Sequence, residues 1–195
     1  INRSSPKTQS ALLEAMEERQ VTQDGQTYAL PQPFFVIATQ NPLEQSGTFP
    51  LPESQLDRFL MRLSLGYPNA EFEQKLLLGH NVKRNVEAIL NPQEVVELVR
   101  QVNQIHVGKA VVSYLQTILE QTRHSGKFVT GLSPRAGLQW LQAAKALAFI
   151  EKRDAVLPDD IKMLAKHTAS HRLHCHDGSD SADAIVELIN HIEVL

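Results

Sequence analysis

The spacing of apolar positions changes once along this chain. Up to residue 66 apolar residues fall in short runs, some alternating and some continuous, whereas beyond Pro68 they recur about every 3.6 residues to the end. The switch predicts two domains, 1–66 and 67–195, the first mixed α/β and the second all-α. In the first, Ser5 and Pro6 can cap and open a helix, SPKTQSALLEAMEERQ, with Leu12, Leu13, Ala15 and Met16 as its apolar stripe. Asp24-Gly25, set between Val21-Thr22-Gln23 and Gln26-Thr27-Tyr28, predicts a hairpin with a two-residue turn. Residues 34–38 (FFVIA) read as a buried strand that stops at Thr39, Gln40, Asn41, Pro42. LPESQLDRF reads as a short helix opened by Pro52, and residues 60–65 as a second apolar strand.

Six helical segments are expected in the second region, over 70–80, 92–105, 109–124, 134–152, 158–173 and 180–195. Three carry Pro at or near the first turn, and the short loops suit a compact bundle. Val95, Val96, Leu98, Val99, Val102 and Ile105 give the second segment one broad apolar face. The fourth is apolar nearly all round and is expected at the centre.

Composition narrows the function classes. The 195 residues are 42% hydrophobic and 21% charged, as in ordinary soluble proteins. A formal net charge of −3 gives no basic excess for a phosphate backbone and argues against nucleic acid as the main partner. One cysteine, Cys175, excludes an internal disulfide. No apolar run approaches the ~20 residues a bilayer requires and no signal pattern is present, so a cytoplasmic protein is expected.

Three polar residues are candidates for chemistry. Asn41 follows a strand end, where ligands of open α/β sheets bind, so its amide can hold a water or a phosphate oxygen; a turn-former before proline is the plainer reading. Arg58 can be a ligand cation or a surface ion pair with Asp57. Arg135 lies in the first turn of a helix capped by Ser133, where a cation opposes the helix dipole by roughly 0.3–1 kcal/mol. A bound anion would offset that, and so would a neighbouring carboxylate. His167, His171 and His174 recur at i, i+4 and i+7 beside Cys175 and His176. That spacing suits zinc, but no second ligand cluster exists in the sequence and solvated histidines near a helix end are the plainer account, so no metal ligand is assigned.

The stretch ATQNPLEQSGTFPLPESQLDRFLMRL, together with INR and the helix that follows it and with GLSPRAGLQWLQAAKALAFIEKR, resembles the MoxR group of AAA+ ATPases. The likeness is ungapped over the first stretch and runs from Ile1 to about Leu173. It implies the C-terminal part of an AAA+ αβα core with a helix-2 insert hairpin, followed by the helical lid. It places Asn41 at sensor 1, Arg58 at the arginine finger and Arg135 at sensor 2. In the usual GASPRA motif, Leu132 here replaces Ala. The family's Walker B strand would immediately precede Ile1, and no GxxxxGK[ST] occurs in the sequence. The resemblance thus implies ATP and Mg2+ as cofactors of the intact protein, with the magnesium ligands outside this chain and the chain inactive alone. It also implies a ring, usually a hexamer, a chaperone that remodels or matures partner proteins, and von Willebrand factor type A domain proteins as partners. Magnesium-chelatase ATPase subunits share these features, and a non-catalytic interaction module remains a further reading. The hairpin suits either substrate contact or mere decoration of the sheet.

Overall fold

The computed structural model describes residues 1–40, 49, 51–80 and 86–193. Helix α1 (Pro6–Glu18) begins where Ser5 Oγ accepts from Thr8 N (3.2 Å) and ends at Arg19 in the left-handed conformation. Strands β1 (Gln20–Gln23) and β2 (Gln26–Ala29) pair antiparallel with Val21 opposite Tyr28. Asp24 and Gly25 both take positive φ, as the two-residue turn demands. One short helical turn, α2 (Glu53–Leu56), follows Pro52.

The two apolar runs expected as strands are not strands. Residues 34–38 and 60–65 carry no sheet pairing, and the sole sheet among the described residues is the β1–β2 hairpin. A strand exists only through its ladder, and no described strand lies beside either run. Their side chains therefore stay in the open: Phe35, Ile37 and Leu65 are 78%, 80% and 99% exposed.

The helices continue as α3 (Ala70–Leu77), α4 (Pro92–Asn103), α5 (Lys109–His124), α6 (Pro134–Ile150), α7 (Pro158–Thr168), a 3-10 turn η1 (Ser170–Arg172) and α8 (Ser181–Asn190). Helix α6 packs on α4, α5 and α7, and α8 closes the bundle against α5 and α7. Trp140, wholly enclosed on α6, donates Nε1–H to Ile161 O (3.0 Å), which satisfies its one polar group inside the core. Small residues of α6, Ala136, Gly137, Ala143, Ala144 and Ala148, let its neighbours approach. Two expectations need correction. Leu138 on α6 is exposed, so that helix is not apolar on a fully covered circumference. Helix α4 fully buries none of its residues: Val95, Leu98 and Val102 of its apolar face are half-buried, and α6 is the described element it mainly packs on. It is held at its start by a capping box, Asn91 Oδ1 accepting from Glu94 N and Glu94 Oε2 from Asn91 N.

Candidate functional site

Arg135 owes its place to local chemistry. Ser133 Oγ accepts from Ala136 N (3.0 Å), and Pro134 fills the first helical position, so α6 begins there and Arg135 sits in its first turn. The preceding loop is pinned to the end of α5: Leu132 N donates to Thr122 Oγ1 (3.1 Å), and Arg123 Nε donates to Leu132 O (2.9 Å). Gly131 lies so close to Arg123 that a β-carbon would meet its Cα at 2.7 Å and its N at 2.9 Å. Only glycine fits.

Arg58 lies just past α2. Its guanidinium pairs with Glu17 of α1 (Nη2 to Oε2, 2.9 Å) and not with Asp57. Arg135 pairs with the other oxygen of the same carboxylate. The two cations thus converge on Glu17 from different elements, with side chains 30% and 43% exposed. Arg58 Nε is buried and has no hydrogen-bond partner among the described residues. Two positive charges face one carboxylate, so the cluster has capacity for a further anion. The adjoining groove of about 350 Å³ does not offer it: Glu14, Glu17 and Glu18 line it against Arg58 alone. Asn41 lies outside the described residues.

Asp57 faces the helical bundle. Its carboxylate accepts from Ser133 Oγ–H (3.0 and 3.1 Å) while standing 3.0 Å from Arg172 Nε, near enough to pair though not aligned for a hydrogen bond. Arg172 is buried and spreads its remaining donors over Phe59 O (2.6 Å), Asp57 O (3.3 Å), Gln139 Oε1 and Thr168 O. Burial lowers the Arg172 pKa and Asp57 opposes that shift. His171 Nε2 lies 3.0 Å from Phe59 O and donates to it as the neutral tautomer. Burial first, then the charge of Arg172, pushes the His171 pKa down to about 4.

This corrects the histidine pattern. Helix α7 stops at Thr168 and the chain tightens into η1, so His167, His171 and His174 do not share a face. His171 is buried on Phe59, and His174 Nδ1 lies 3.3 Å from Glu53 on the surface. Among the described residues, no three His, Cys, Asp or Glu side chains gather as a metal site.

Comparison with known proteins places the chain among AAA-type ATPases by similarity. The family model for the ATPase family associated with various cellular activities (AAA) matches residues 1–61, and that for the AAA lid domain matches residues 120–189. The chain is 38% identical to chaperone MoxR1 of Mycobacterium tuberculosis over 89% of its own length and 48% of that protein. It is 43% identical, over its full length and 63% of the relative, to the uncharacterized protein YeaC of Bacillus subtilis. The crystal structure of a candidate ATPase from Cytophaga hutchinsonii superposes with TM-score 0.91 at 35% identity, covering all of this chain and 64% of that one. Together these matches support a MoxR-type AAA+ ATPase. The chain spans between 48% and 63% of the length of these two curated relatives. The residues that sequence reading overlooked are Glu17, Gln139 and Arg172, each a partner distant in sequence from the group it holds. The one available signal is the set of glutamates off the apolar stripe of α1, Glu14, Glu17 and Glu18.

Proposed function

We propose that this chain forms the sensing and lid portion of a ring-shaped, six-subunit cytoplasmic ATPase that couples ATP hydrolysis to chaperone-like maturation or remodelling of partner proteins. Residues 1–66 contribute part of the αβα core and 67–195 the lid, and von Willebrand factor type A domain proteins are among the partners. The observation that carries this reading is the convergence of Arg58 and Arg135 on Glu17. Cations from two separate elements meet around one anionic group, with Arg58 Nε still unmatched, which is the donor chemistry that suits a terminal phosphate. The exposed apolar runs at 34–38 and 60–65 are where the remainder of the core would pack.

ATP with Mg2+, when bound, would supply the phosphoryl group and positive charge beside its phosphates, and no described residue here is assigned to that metal. Arg135, from the lid of the same subunit, contacts the γ-phosphate, and Arg58 reaches the γ-phosphate of the neighbour. Asn41 orients the attacking water. Each arginine stabilises negative charge that develops during transfer. Exposed ion pairs such as those on Glu17 contribute about 0.2–1 kcal/mol, so phosphate charge can displace them.

The test is the kinetic split between the arginines in the intact ATPase. Arg58→Ala should leave ATP affinity within about twofold while lowering kcat about a hundredfold, because its charge acts on the transition state. Arg135→Ala should weaken both. An Arg58→Ala protein that mainly loses ATP affinity would contradict the assignment.

A further inference from the structure

Arg58 emerges from a helix of one turn, which is too short to hold a catalytic side chain by its own hydrogen bonds. The carbonyls of Asp57, Arg58 and Phe59 lie past that turn, where a helix leaves its acceptors unpaired. All three are taken up by the lid. Arg172 donates to Asp57 O and Phe59 O, the carbonyls on either side of Arg58, and Gln139 Nε2 stands 3.5 Å from Arg58 O. Arg172 and Gln139 are themselves hydrogen-bonded to each other.

Gln139 lies four residues after Arg135 on α6, so the two share a face of that helix. Ser133, the cap of the same helix, donates to the Asp57 carboxylate that also faces Arg172. The segment bearing Arg58 is therefore bonded to the helix bearing Arg135 at both its backbone and its flanking side chain. We propose that Arg172, seconded by Gln139, is a positioning residue for Arg58, clamping its backbone to the lid so that the finger moves with the helix that senses the subunit's own nucleotide. This rests on the functional reading above. It adds a route by which one subunit's lid controls hydrolysis in the next.

The test is a double-mutant cycle in the intact ATPase. Arg172→Lys retains a charge but loses the fork: one ammonium cannot hold Thr168 O and the Asp57 carboxylate, which Nη1 and Nε face here, while also meeting the two carbonyls and Gln139 that Nη2 serves. It should lower kcat at least about tenfold with KM for ATP within about twofold, and in an Arg58→Ala background it should have no further effect. Gln139→Ala, which leaves Arg172 and Asp57 in place, should show the same non-additivity with a smaller loss and serves if Arg172→Lys does not fold. Independent, multiplying effects of the Arg58 and Arg172 or Gln139 changes would overturn the clamp while leaving the finger role intact. An Arg58→Ala protein with unchanged kcat would instead overturn the finger role, and the clamp with it.

Discussion

Gly131 and His171 show how single residues set the site's stability. Adding a methyl at Gly131 drives it into the backbone of Arg123, so Gly131→Ala should cost about 1–3 kcal/mol, measured by urea unfolding. His171 carries a pH dependence. The unfolded imidazole protonates near 6.5 and the folded one near 4, so the unfolded state binds more protons between these values. Stability should therefore fall as pH drops through that window and stop falling on this account below about 4. Between pH 7 and 5 the loss should be about 2 kcal/mol, and His171→Gln, which keeps a donor for Phe59 O without titrating, should remove it. A variant with the same pH slope as the parent would show that other groups produce it. Residue-level reading worked where the partner is close in sequence: Ser133, Pro134 and Arg135 are arranged by one helix start. It failed for Glu17, 118 residues from Arg135, because no local pattern specifies so distant a partner. The plainer alternative for Arg135, a paired carboxylate, is present, and for Arg58 the carboxylate is Glu17 instead of Asp57.

At the scale of elements, helices were readable and strands were not. A helix closes its own hydrogen bonds, so caps and period are enough, and α5 spans Lys109–His124 as its pattern predicts. The runs at 34–38 and 60–65 have strand composition but depend on partners that composition does not supply. The histidine spacing failed for a related reason: periodicity cannot announce that α7 gives way to a 3-10 turn at Ser170. Burial separates the helices further. Helix α4 exposes Val96 and Val99, whereas α6 encloses Trp140 and Ala144 completely. Amide exchange should be fast along α4 and slowest along α6, following local opening free energies. Asn91→Ala should cost α4 about 1 kcal/mol by removing half its capping box and should speed exchange there further, leaving α6 unaffected. Equal protection of the two helices would contradict the packing described.

For the molecule as a whole, the interaction that matters lies between the first 62 residues and the bundle. Besides the Glu17 cluster, Arg62 N donates to His167 O (2.8 Å) and Arg172 reaches the Asp57–Phe59 backbone, so the segment bearing Arg58 is fastened to the helical bundle at several points. The 195-residue chain by itself, with no GxxxxGK[ST] in its sequence, is expected not to hydrolyse ATP, since phosphate positioning is most of the catalysis in such enzymes; magnesium-dependent turnover by the purified chain would contradict this. The central claim is that Arg58 serves a neighbouring subunit's nucleotide while Arg135 serves its own. It is tested most directly in mixed rings of the intact ATPase, combining Arg58→Ala subunits with subunits whose phosphate-loop lysine has been removed, with mixing verified by mass. The account predicts that hydrolysis, nearly absent in either homogeneous ring, partly returns at interfaces where an intact finger faces an intact phosphate loop. Verified mixed rings that remain inactive would contradict it and return Arg58 to a structural ion pair with Glu17.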